Sequence, residues 1–213
     1  MSSKTNSAPL KFTGKASESE DEDEEVTTKT TSLNPSTCLQ KNIAGKLSSK
    51  FMAKVFIKEK NNQRLDNLHK LVCNYSSKKD ADKLIKAIIK TSVKSSILYR
   101  SELFNEDELQ LIKEFQNQFR LFAESSTKLY QTNSKDEQSV LIRVLKECQN
   151  LSHKIISTHL ANKYHAKIDF IFDSVSNLQF IEQIFDPLSK ANRLIMKEVV
   201  DDLNSQFLAD NSF

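Results

Sequence analysis

Between Lys78 and Arg100 the chain reads KKDADKLIKAIIKTSVKSSILYR. At about 100° per residue, Lys79, Lys83, Lys86, Lys90 and Lys94 fall in one stripe, opposite Ala81, Leu84, Ile85, Ile88 and Ile89. That spacing predicts an amphipathic helix over 78–101 whose solvent side carries one sign of charge. The same periodicity continues in both directions from Pro35. A first helix is expected over 36–58, with Leu39, Ile43, Leu47 and Phe51 every four residues and Lys46, Lys50, Lys54 and Lys58 in a row beside them. A second is expected over 62–75, with Leu65, Leu68, Val72 and Tyr75 inward. Asn105 and Glu108 form a capping pair for a helix over 106–131 that presents Ile112, Phe115, Phe119 and Phe122. Ser134 and Glu137 read as a capping box for 135–163, whose inner face carries Leu141, Val144, Leu145, Cys148, Leu151 and Ile155. A segment over 166–185, broken near Ser176, is ended by Asp186-Pro187, and a last helix covers 188–208. Short connections predict antiparallel neighbours, so the expected fold class is an all-α antiparallel bundle of six to seven helices.

Composition agrees with that pattern. Two Gly and three Pro in 213 residues are too few for a turn-rich β fold, and 13 Phe supply a real core. Residues 1–35 are polar and acidic and are expected to form a disordered tail before one domain over 36–213. Within the tail, SESEDEDEE places Ser17 and Ser19 beside acids, a context that suits an acid-directed kinase. The tail is read first as solvated chain, with folding back onto basic surface as the alternative. No run approaches the ~20 apolar residues a spanning helix needs, and the N-terminus lacks the apolar core of a secretory signal. The expectation is an intracellular protein without a transmembrane segment. Cys38, Cys73 and Cys148 are widely spaced and are expected to be reduced.

Charge changes the picture more. Residues 36–100 hold fifteen Lys and Arg against four acids, whereas 101–213 hold twelve against seventeen. The basic part suits an anionic membrane, a phosphorylated lipid, nucleic acid or an acidic protein. Nucleic acid is set aside because the cations lie along helices without an aromatic platform or a recognisable binding motif. From Ser95 to Tyr99 the charges stop, and Arg100 follows alone. One cation at the edge of an apolar space would suit an anionic head on a greasy tail, but the pattern alone favours a solvated face ending in a cation that complements the helix dipole. With only Gly14 and Gly45, no phosphate-binding glycine loop can form. His153, His159 and His165, six apart, scatter around a single helix and make no metal site. No catalytic residue, metal or cofactor is expected.

The runs LIKAIIKTSVKSSILYR at 84–100, LFNEDEL at 103–109, AKVFI at 53–57, LKEC at 145–148 and HLANKYHAKIDFIFDSVS at 159–176 occur in an order that resembles the tumour necrosis factor-alpha-induced protein 8 family, also called the TIPE family. The resemblance covers about 38–208 and implies a cylinder of antiparallel helices around a central apolar cavity open at one end. It implies binding, and in some members transfer, of phosphoinositides, with basic residues at the mouth. Arg100 and Lys41 match basic positions of the family, whereas Asn42 and Gln116 stand where some members carry cations; Lys113 or Arg120 would substitute. The implied cavity would be lined by Leu47, Phe51, Ile88, Ile112 and Phe115, and by Phe119, Leu141, Leu145 and Phe172. The basic rows Lys46, Lys50 and Lys54, and Lys83, Lys86, Lys90 and Lys94, would face a membrane. The function so implied is non-enzymatic binding of phosphoinositides or other anionic lipid by a cytoplasmic protein that associates reversibly with the inner face of the plasma membrane. The alternative is a cytosolic adaptor acting on cell death or small-GTPase signalling through protein contacts.

Overall fold

The computed structural model describes residues 59–210 and contains, among them, seven helices and no strand. They are α1 (Glu59–Tyr75), α2 (Lys78–Arg100), α3 (Glu106–Thr132), α4 (Lys135–Ile156), α5 (Asn162–Val175), α6 (Leu178–Phe185) and α7 (Lys190–Asp210). The helix expected over 36–58 lies outside the described residues, and with it Lys41, Lys46, Leu47, Lys50, Phe51 and Lys54.

Local chemistry sets most boundaries. Ser77 opens α2 by accepting the Asp80 N–H at 3.1 Å. At α3 the capping box is complete: Asn105 Oδ1 accepts the Glu108 N–H at 2.9 Å, and Glu108 Oε2 accepts the Asn105 N–H at 2.9 Å. Asn133, with φ 49°, ends α3 in the left-handed region that Asn tolerates better than most residues. Ser134 then caps α4, but its hydroxyl accepts from Asp136, not from Glu137 as the expected box requires. The helix expected to reach 163 stops at Ile156, and the chain turns through 157–161 before α5. The break near Ser176 exists; its cap is Asn177, whose Oδ1 accepts the Phe180 N–H at 3.0 Å.

Six helices close a ring of contacts in the order α2, α5, α4, α3, α7, α1 and back to α2, while the short α6 packs on α1, α4, α5 and α7. Inside the ring the buried apolar residues form two principal clusters. One gathers Leu84, Leu129, Leu141, Phe180 and Ile181; the other gathers Leu98, Phe104, Ile155, Ile156 and Ile168. Phe172 packs against both. Each such side chain contributes about 1.5–3 kcal/mol on burial. A smaller cluster of Ile85, Ile89 and Val93 joins α2 to Leu65 and Leu68 of α1.

The α1–α7 seam is different in kind. Arg64 binds both carboxylate oxygens of Asp202, with Nη2 donating at 3.1 Å. Asn67 Nδ2 donates to Glu198 at 3.2 Å, and Asn74 Nδ2 donates to Asn192 at 2.7 Å. Among the described residues no helix is long and apolar enough to cross a membrane.

Candidate functional site

Two cavities lie within the ring. The outer one, of about 640 Å³, is walled by the C-terminal half of α2, the N-terminal half of α3, the end of α4 and the middle of α5. The second, called the inner one, has about 360 Å³ and is bounded by α1, α3, α4, α5, α6 and α7, with exposed Gln63 and Phe119 on its wall. Phe115 and Phe172 line both.

The end of α2 shapes the outer edge. Leu103 N–H bonds Leu98 O at 3.2 Å and Glu102 N–H bonds Tyr99 O at 3.2 Å, the paired bonds of a Schellman ending. The residue that turns the chain is Glu102, at φ 53°, where glycine is usual. This ending leaves Tyr99 and Arg100 exposed on the cavity edge and returns the chain inward at buried Phe104, which lines the wall. Gln116 stands exposed on the same cavity, from α3.

A buried carboxylate fastens that edge. Glu108, the capping residue of α3, also accepts from Thr158 Oγ1 at 2.7 Å and from His159 Nε2 at 2.9 Å. Because a carboxylate only accepts, Nε2 is the protonated nitrogen of that ring. The His159 bond, then Thr158, then the Asn105 N–H hold the Glu108 carboxyl down to about 2. His159 packs edge-on to Phe104, 5.1 Å between centroids. One side chain therefore ties the start of α3 to the α4–α5 turn and supports the ring that walls the cavity.

The outer wall is mixed. Ile88, Ile112, Phe115, Ile168 and Phe172 supply apolar surface, while Thr91, Ser92, Ser95, Ser96 and Ser152 supply hydroxyls. Of the α2 hydroxyls, Ser95 and Ser96 fall in the uncharged stretch 95–99, whereas Thr91 and Ser92 lie between Lys90 and Lys94. The inner wall is almost wholly apolar, including Phe119, Leu141, Leu145 and Phe180. Of its polar members, Arg64 pairs with Asp202 and Asn67 with Glu198 in the α1–α7 seam, while Gln63 and Ser126 also line it. Cys148 faces this space, and burial pushes its thiol up to about 11.

Lys113 and Arg120 are exposed and line neither cavity. Lys83, Lys86, Lys90 and Lys94 run along the outer side of α2, Lys83 and Lys94 exposed and the other two half-buried. Lys83 Nζ sits 5.1 Å from the centroid of the Phe170 ring.

The histidines correct the angular argument. Because the helix breaks after Ile156, His165 lies on α5 and meets His153 of α4, Nδ1 to Nδ1 at 2.7 Å. Their rings are parallel within 2° with centroids 5.0 Å apart, which for that nitrogen separation means coplanar and edge to edge. His153 Nε2 meets Asp169 at 2.6 Å, and Gln149 donates to the same carboxylate oxygen at 2.9 Å. A proton shared between the facing nitrogens joins α4 to α5. Among the described residues no group of three or more His, Cys, Asp and Glu could hold a metal ion.

The model of the family described as tumor necrosis factor alpha-induced protein 8-like matches residues 34–209. The chain is 33% identical to human (Homo sapiens) tumor necrosis factor alpha-induced protein 8 over 196 residues, 92% of this chain and 98% of that protein. To the Xenopus laevis protein of the same name it is 33% identical over 174 residues, 81% and 92% of the two chains. To tumor necrosis factor alpha-induced protein 8-like protein 1 of Gallus gallus it is 30% identical over 173 residues, again 81% and 92%.

Proposed function

The chain belongs to the tumour necrosis factor alpha-induced protein 8 family, and from that membership and the cavities we propose that it is a non-enzymatic signalling protein that binds a phosphoinositide or another anionic lipid. The observation that carries the reading is a cavity edged by exposed Arg100 that shares Phe115 and Phe172 with a second, largely apolar space. Buried chain contributes about 0.8 kcal/mol per methylene, while a guanidinium at the edge selects phosphate through charge-assisted hydrogen bonds. Gln116 offers an amide where a second cation would strengthen that selection. In this reading the protein is cytoplasmic and peripheral to the inner face of the plasma membrane. Lys83, Lys86, Lys90 and Lys94 face the anionic surface, joined by Lys46, Lys50 and Lys54; Lys41 assists at the head group, with Lys113 and Arg120 as nearby surface cations.

Native mass spectrometry of the full chain, purified without detergent, tests this. The expected spectrum carries mass increments of phospholipid, exchangeable for added phosphoinositide. A spectrum of protein alone, unchanged after incubation with phosphoinositide vesicles, overturns the reading.

A further inference from the structure

The two cavities differ in chemistry, and they share two rings. Phe115 of α3 and Phe172 of α5 line both spaces, and Phe172 also packs against both principal core clusters, so the division runs through cavity and core alike. On the outer side Thr91 Oγ1 is buried without a hydrogen-bond partner among the described residues, in a wall rich in serine. A buried hydroxyl left unpaired is costly, so this wall is better matched to a ligand segment with oxygen atoms than to hydrocarbon. On the inner side the charged groups are engaged in the α1–α7 pairs, and apart from Gln63 and Ser126 what remains is hydrocarbon, sulfur and aromatic ring. From Phe115 the rings continue along α3 on the wall of that cavity, with Phe115–Phe119 centroids 6.5 Å apart and Phe119–Phe122 centroids 5.4 Å apart.

We propose that Phe115 and Phe172 form an internal constriction that divides a long-chain amphiphile into two parts. Its oxygen-bearing segment lies in the outer cavity, and the end of its chain passes the two rings into the inner cavity, whose volume sets the longest chain accepted. This rests on the lipid-binding reading and adds a chain-length selector to it. A methylene occupies roughly the ~30 Å³ of a water molecule, so the inner 360 Å³ accommodates about a dozen methylenes.

The test uses the full chain and alkyl phosphates of eight to eighteen carbons, whose affinities are measured by calorimetry. Each methylene that enters the inner cavity should tighten binding about fourfold, and the gain should stop once that cavity is full. Leu145→Phe, which adds bulk to the inner wall, should end the gain at a shorter chain while leaving the shortest alkyl phosphates unaffected. A second measurement does not depend on that variant folding. The chain has no Trp, so Phe122→Trp places a single fluorophore on the inner wall. Bromine at the chain end should quench it more than bromine next to the phosphate. Binding with an identical chain-length profile in wild type and Leu145→Phe, or quenching in the reverse order, overturns the constriction while the lipid reading stands. Absence of any alkyl phosphate or phosphoinositide binding to wild type overturns both.

Discussion

Glu108 and His159 meet at 2.9 Å although fifty-one positions separate them in the chain. The carboxyl concerned is lowered from 4.5 to about 2. A carboxyl lower in the folded than in the unfolded state contributes stability that is complete above about pH 4.5 and is lost as pH falls toward 2. Glu108→Gln should therefore flatten the acid side of the stability curve in that window. At neutral pH it should cost about 2 kcal/mol, because bonds to a charged acceptor are weakened. Urea melts of both proteins at pH 7, 4 and 3 check this; parallel losses between pH 4 and 3 would show that Glu108 is not the titrating group.

Arg100 follows a different logic, since it is exposed at a helix end. Arg100→Ala should leave the fold intact, because truncating an exposed side chain opens no cavity in the core. It should nevertheless weaken preference for phosphoinositide over phosphatidylcholine in a competition assay at fixed salt. An unchanged ratio in a folded variant removes Arg100 from head-group recognition.

Surface cations should act at the membrane rather than in the cavity. Reversal of Lys46, Lys50, Lys86 and Lys90 to Glu should abolish binding to anionic vesicles, each cation contributing about 1 kcal/mol there. Sedimentation with vesicles reads the effect, and full binding by the reversed protein would refute it. Deletion of residues 1–35 should strengthen vesicle binding if the acidic tail competes for these lysines.

The Arg64–Asp202 pair should couple α1 to α7. Either single truncation should cost about 2 kcal/mol, and the double variant should lose less than the two together. Strict additivity in a double-mutant cycle would mean that the two side chains stand together without interacting.

Cys148 should be inert in the folded protein. With its thiol near 11, thiolate is on the order of one part in a thousand at pH 8. Iodoacetamide should modify Cys148 only on unfolding, as read by peptide mapping; rapid labelling of the native chain would contradict its burial.

The helices were legible wherever signals lie within a turn or two. Periodicity set α2 to within a residue, and periodicity with the Asn105–Glu108 capping pair set α3 as closely. The end of α4 was not legible, because Ser157 to Ala161 contains neither Gly nor Pro. The turn there is held by Glu108, a residue that belongs to another helix. The same misplaced boundary hid the meeting of His153 with His165. At the candidate site, periodicity distinguishes inward from outward faces of α2 and α3, but not which inward residues face each other across the ring. The shared position of Phe115 and Phe172 is a fact of tertiary packing. Ser95 and Ser96 were visible within an uncharged stretch, though nothing local marks them, or Thr91 and Ser92 before them, as the wall of a cavity.

The three polar pairs of the α1–α7 seam advance along one helix as they retreat along the other: Arg64 with Asp202, Asn67 with Glu198, Asn74 with Asn192. A greasy seam can slip by a turn and lose little, because one aliphatic contact replaces another. This one cannot slip without breaking every pair at once and leaving charge unmatched beside hydrocarbon. The seam thus works as a gauge: where the first and last described helices meet, it fixes how far one stands along the other, and so sets the bore of the space they help enclose.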